Sequence, residues 1–131
     1  MSGAPREIDI RIRVRYPEAD PMGRLHHSRY WVYFEMGRTE LLRAAGLRYR
    51  DLEEKGIFLV VARCSAAYRA GARVDDLLTL TTRLTRLGAA KIEHEYELRR
   101  EDGTLVATAQ TTLACVGPDG TIQPVPDVLR T

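Results

Sequence analysis

From Ile8 to Tyr16 the chain reads IDIRIRVRY, apolar at Ile8, Ile10, Ile12, Val14 and Tyr16 and charged at Asp9, Arg11, Arg13 and Arg15. Strict alternation sends successive side chains to opposite faces, so the spacing predicts a strand with one wet face. Pro17, Asp20, Pro21 and Gly23 then supply turn chemistry that ends it. From Ser28 to Ala45 the period changes. Tyr30, Trp31, Phe34, Leu41, Leu42 and Ala45 recur near i, i+3, i+4 spacing, while Glu35, Arg38, Glu40 and Arg43 take other faces. This predicts one long amphipathic helix, with Gly46 placed to close it in a left-handed conformation. A shorter helical turn is expected at Tyr49–Lys55, ended by Gly56.

The remainder reads as strand. Ile57–Tyr68 begins IFLVV, Leu77–Leu87 alternates Leu with Thr, Lys91–Arg100 alternates charged with larger residues, and Thr104–Val116 is rich in Thr, Val and Ala. Asp102-Gly103 and Pro118-Asp119-Gly120 mark tight turns, so the last strands form an antiparallel meander. Pro124 and Pro126 limit the tail Ile122–Val128 to an extended edge segment. The expected architecture is a single α+β domain over residues 1–131, with the helix burying its aromatic stripe against a sheet of about five strands. One helix leaves sheet edges open, and pairing with a second copy across a two-fold axis would finish them, as a homodimer or homotetramer.

Composition narrows the function classes. The 131 residues are 44% hydrophobic and 29% charged with a net charge of +2, too small to imply nucleic acid. No apolar run approaches the ~20 residues that span a bilayer. The opening MSGAPREIDI lacks the basic, apolar and small-residue blocks of a secretion signal, which predicts a cytoplasmic protein. Cys64 and Cys115 are far apart and show no metal-ligand spacing, so both are expected as buried free thiols.

The stretch DPMGRLHHSRYWVYFE, Asp20 to Glu35, places a carboxylate, a glycine and two imidazoles at the entrance of the most apolar helix. A helix start offers unpaired N–H groups and the positive end of a dipole, a ready-made place for developing negative charge. An Asp in such a turn is often an Asx-turn or cap, and it can also serve as general base or nucleophile. The longer segment RYPEADPMGRLHHSRYWVYFEMGRTELLR resembles the signature of the 4-hydroxybenzoyl-CoA thioesterase-like group of the hotdog superfamily, close to the short-chain acyl-CoA thioesterases linked to the Tol-Pal system. The matching positions are Asp20, Gly23, His27, Tyr30, Phe34, Glu35, Arg38 and Glu40. Similarity extends to YRAGARVDDLLTLTTRL, with Asp75 and Asp76, and to the ending QPVP.

That resemblance implies a hotdog fold whose sheet continues across a homodimer. It also implies hydrolysis of a short-chain aliphatic or small aromatic acyl-CoA to free acid and CoA. Asp20 would be general base or nucleophile, and the helix start near His27 would hold the oxyanion. Gly23 and Tyr30 would border the substrate, and Arg69 and Arg73 would meet the CoA phosphates. No metal or redox cofactor is implied. His26 is assigned a supporting contact, because adjacent side chains diverge. Glu35 and Arg38 read as an ion pair, Asp75 and Asp76 as turn or subunit-contact residues, and His94 as a strand-surface residue. Phe58 and Leu59 are expected to set the acyl pocket. A non-catalytic acyl-CoA-binding module and a hotdog dehydratase or hydratase are the competing readings. The chain contains no Asn, only Gln110 and Gln123 as amides, and an excess of Arg over Lys. This predicts a thermophilic source. Calorimetry should then find a melting midpoint above the ~45–65 °C of mesophile domains, and a midpoint inside that range overturns the expectation.

Overall fold

A computed structural model describes residues 5–130. Strand β1 (Glu7–Arg13) leads through a 3-10 turn at Tyr16–Glu18 and a loop to helix α1 (His27–Ala44) and the short α2 (Tyr49–Glu54). Strands β2 (Phe58–Tyr68), β3 (Leu77–Leu87), β4 (Lys91–Arg99) and β5 (Leu105–Val116) follow, and a 3-10 turn at Asp127–Arg130 closes the described chain. The first strand is shorter than the alternation predicts. Pro17 lies in the first turn of the 3-10 segment and turns the chain away, which leaves Tyr16 82% exposed instead of facing the core.

The five strands form one antiparallel sheet in the order β1-β3-β4-β5-β2, with β3, β4 and β5 as the expected meander. β1 and β2 form its two edges, so the sheet stays open. Tyr30, Tyr33 and Phe34 of α1 pack on Ile12, Leu78, Leu80, Tyr96 and Leu98, giving the core of helix on sheet. Phe34 lies 4.9 Å, centroid to centroid, from Tyr96. The tail returns along β5 as an edge segment: Ile122 bridges Val116, and the Gln123 N–H donates to the Cys115 carbonyl at 2.8 Å.

Two expectations about single residues are corrected here. Along β4, Ile92, His94, Tyr96 and Leu98 are buried and alternate with the outward Glu93, Glu95 and Glu97. His94 therefore faces inward, 6% exposed, and is no surface residue. Its place in the period-two pattern decides its face, whatever its polarity. Cys64 is exposed because its strand is an edge, whereas Cys115 is buried as expected, and burial pushes its thiol pKa up.

Both ends of α1 are closed by local chemistry. The His26 ring Nδ1 accepts from the Ser28 N–H at 3.2 Å, a cap supplied by imidazole in place of the usual hydroxyl or carboxylate. At the other end Gly46 takes a φ of +85°, and the N–H groups of Gly46 and Leu47 donate to Arg43 and Leu42 carbonyls at 2.9 and 3.1 Å. This is the paired closure that a left-handed glycine permits.

Gly37 sits in the middle of α1, where glycine disfavours helix by about 1 kcal/mol relative to alanine. Packing explains it. A Cβ there would lie 2.2 Å from Thr82 Oγ1 and 2.8 Å from Leu80 Cδ2 on β3. The helix therefore rides closer to the sheet than any side chain would allow. Gly37→Ala should destabilise the fold by about 1–3 kcal/mol despite the better helix propensity. Urea unfolding checks this, and an unchanged or stabilised variant would refute the close approach.

Candidate active site

The site begins with a buried carboxylate that composition gave no reason to single out. Glu18 is 4% exposed and accepts hydrogen bonds from the Tyr33 hydroxyl at 2.6 Å, the Arg15 N–H at 2.9 Å and the Arg15 guanidinium at 3.1 Å. Its own carbonyl accepts from the His26 N–H at 2.9 Å. Burial alone would raise the Glu18 pKa, but the bonds from Tyr33 and Arg15 outweigh it and hold the carboxyl below its ordinary range. Burial, and then the bond to Glu18, push the Tyr33 phenol the other way. One side chain thus ties the end of β1 to the second turn of α1, while its backbone fixes the residue that caps the helix.

Between those anchors the Asp20 loop folds on itself. The Asp20 N–H donates to the Arg24 carbonyl at 2.7 Å, and the Gly23 N–H donates to the Asp20 carbonyl at 2.9 Å. Asp20 Oδ1 accepts from the backbone N–H groups of Met22 and Arg24 at 2.9 and 3.1 Å. This is the Asx-type role anticipated for an Asp in a turn. Both bonds fall on Oδ1, so the second oxygen is not consumed by the loop. Gly23 has a φ of +76°, a left-handed conformation that favours glycine and lets the loop close tightly.

Asp20, His26, His27 and Tyr30 line one open cleft of about 510 Å³, joined by Arg24, Tyr68, Arg69 and Gly71. The His26 and His27 rings stack at 4.2 Å with their planes 31° apart, contrary to the expected divergence. Extended backbone at His26, the residue before the helix, brings the two imidazoles side by side. His26 keeps its supporting role as cap. His27 is the first helical residue, so its N–H has no acceptor within the helix. Tyr30 is buried against Tyr68, ring edge to face at 4.8 Å, and burial followed by the nearby Tyr68 raises its pKa.

Gly23 and Arg73 do not border the cleft. The Gly23 carbonyl accepts from the Val74 N–H at 3.1 Å, and the Arg73 N–H donates to Asp76 Oδ2 at 2.8 Å, so both shape the adjoining loops. Asp75, at a φ of +74°, and Asp76 form the turn into β3, as their turn assignment anticipated. Glu35 and Arg38 pair as read, at 3.7 Å. Phe58 and Leu59 lie outside the cleft, and Leu59 lines a different cavity. Tyr68 is the contributor that spacing could not reveal, since the fold alone brings it to the cleft, whereas Arg24 lies within the Asp20 loop itself. Gly71 makes room for Arg24, whose Nη1 would lie 2.8 Å from any Cβ at that position.

A helix of this length laid on an open antiparallel sheet, with a carboxylate loop at its start, is the hotdog arrangement of acyl-thioester enzymes. The chain belongs to the Thioesterase-like superfamily, which it matches over residues 14–131. It is 34% identical over 106 residues to the acyl-CoA thioesterase YbgC of Haemophilus influenzae, covering 80% of this chain and 77% of that one. A hypothetical protein of solved structure from Thermus thermophilus superposes with a TM-score of 0.87 at 36% identity, over 93% of this chain and 94% of its own. A 4-hydroxybenzoyl-CoA thioesterase in complex with 4-hydroxybenzoyl-CoA superposes equally well, at 0.87 over 96% and 98% of the two chains. At 22% identity that likeness establishes the shared fold.

Because removing one partner strands the other in a buried place, Glu18→Gln and Tyr33→Phe should each lower the unfolding free energy by about 1–3 kcal/mol. The depressed carboxyl also sets a pH dependence. Its stabilisation is complete above the unfolded Glu pKa of about 4.3 and is lost as pH falls through the lower folded value. Urea midpoints followed from neutral pH into that acid range should drop for the native chain, with Glu18→Gln showing a shallower slope. Equal slopes would contradict the assignment.

Proposed function

We propose that the chain hydrolyses short-chain aliphatic or small aromatic acyl-CoA thioesters, with Asp20 and the start of α1 as its chemical machinery. The observation that carries this reading is the convergence of Asp20, His27 and the first turn of α1 on one cleft in a chain of the Thioesterase-like superfamily. Asp20 takes a proton from an attacking water, the carbonyl oxygen gathers charge against the His27 N–H, and the carbon–sulfur bond breaks as CoA leaves with a proton. In the nucleophilic variant of the scheme, the same oxygen of Asp20 attacks the carbonyl, CoA departs, and water opens the resulting anhydride. Either route spends one water per thioester and returns acid and thiol. The His27 ring, which lines the same cleft, serves as a hydrogen-bonding group.

Arg24 and Arg69, both in the cleft, are suited to the phosphates of CoA, while Tyr30 and Tyr68 offer an aromatic wall to the acyl group. A homo-oligomer completes the arrangement. Val60 and Val61 on the unpaired edge strand β2 are exposed apolar side chains, and Val32 and Met36 are further exposed apolar side chains on α1. Light scattering should give a multiple of the 14.8 kDa chain mass, and a monomer at assay concentration would remove that part of the proposal.

The decisive experiment is CoA-thiol release over a panel of acyl-CoAs for the native chain and Asp20→Asn. Asparagine keeps the side-chain oxygen that accepts from Met22 and Arg24, so the loop survives while the basic carboxylate is lost. Turnover should fall about a hundredfold or more, with acyl-CoA binding retained. A variant that turns over at the native rate refutes the role of Asp20. A native chain that binds acyl-CoA and releases none refutes hydrolysis in favour of a binding module.

A further inference from the structure

Away from the Asp20 cleft, the C-terminal half of α1 roofs a second cavity of about 150 Å³. It shares no lining residue with that cleft. Its walls include Leu41, Leu84 and Leu129, interrupted by Arg38, Tyr49 and His94. Arg130 holds the closing turn in place as one wall, donating to the Leu87 and Gly88 carbonyls at 3.4 and 2.6 Å.

The polar groups here are unusual for so aliphatic a space. Arg38 is 9% exposed, and its ion-pair partner Glu35 stands 3.7 Å off with a side chain 67% exposed. A guanidinium taken that far out of water is compensated by a carboxylate that remains largely in it and by the Tyr49 hydroxyl beside it. His94 is more deeply buried, and its Nδ1 has no hydrogen-bond partner among the described residues. Burial, and then the Arg38 charge, lower the His94 pKa to about 4, so the ring is neutral near neutral pH. A neutral imidazole thus lines the cavity together with the Arg38 guanidinium.

The forked donors of the Arg38 guanidinium match the two oxygens of a carboxylate, the neutral His94 ring lines the same space, and the leucines around them match a hydrocarbon body. The volume sets the size of that body, since a buried apolar cavity of about 150 Å³ accommodates benzene. We propose that this cavity is a binding site for a small apolar monocarboxylate, its carboxylate held by Arg38 and His94 and its hydrocarbon among Leu41, Leu84 and Leu129. Because the two sites share no lining residue, the proposal stands or falls independently of thioester hydrolysis at Asp20.

The test titrates the full chain with benzoate and hexanoate, and with benzyl alcohol and hexanol as uncharged matches. Calorimetry gives affinity, and imidazole resonances locate binding, since the three histidines can be assigned by substitution. Both acids should bind saturably and move the His94 resonances, whatever product binding at the Asp20 cleft does to those of His26 and His27, with the alcohols at least about tenfold weaker. Arg38→Met should weaken the acids by a similar factor. Leu129→Trp fills the cavity from the closing turn without touching a buried charge, and should abolish binding while circular dichroism stays native. That second variant decides the matter if Arg38→Met does not fold. Absence of binding, shifts confined to His26 and His27, alcohols binding as tightly as acids, or native affinity in Leu129→Trp would each overturn the proposal.

Discussion

The position of the Asp20 loop rests on the hydrogen bonds of one buried carboxylate. Glu18 could not be buried as an anion unless its oxygens were met, and the groups that meet them come from either side of the Asp20 loop. Arg15 precedes the 3-10 turn, and Tyr33 stands on α1. With the Glu18 carbonyl also bonded to the N–H of the capping His26, the end of β1, the Asp20 loop and the helix start become one unit. Such positioning is what the role proposed for Asp20 requires, because small displacements of reacting groups are expensive.

Gly37 performs the complementary task farther along α1. By omitting a side chain at the crossing with β3, it lets the helix settle on the sheet with aromatic residues filling the space on the N-terminal side and Arg38 entering the space on the other. The helix is thereby divided in function. Its first turns carry the open Asp20 cleft, and its last turns cover the smaller, leucine-lined cavity.

The sequence discloses what depends on nearest neighbours. The bounds of β3 follow from Leu and Thr alternation, and the turn between β4 and β5 follows from Asp102-Gly103, where Gly103 adopts a φ of +86°. Asp20, His27 and Tyr30 emerged from a motif register, and the fold brings these three to one cleft while leaving Gly23 and Arg73 behind it. Tyr16 deceived the alternation because the proline after it redirects the chain. His94 faces inward because its place in the period outweighs its residue type. Glu18 and Tyr33 are invisible as a pair, since nothing local announces that an acid and a phenol fifteen positions apart will be buried together. The exposure of Cys64 is likewise topological, for only the strand order makes β2 an edge.

That strand order also governs how the molecule can be assembled in time. β1 pairs with β3, as in Ile8 with Thr82, and β2 pairs with β5, as in Phe58 with Val116, so both outer strands wait for partners made much later. Pairings this distant in sequence are slow to close, because the intervening chain must first be ordered. During synthesis α1 emerges with Tyr33 and Phe34 before Leu98 and Val106, which help to cover them, exist. A ribosome-bound intermediate therefore displays an aromatic helix and unpaired strands, and its escape from aggregation depends on how quickly the meander arrives.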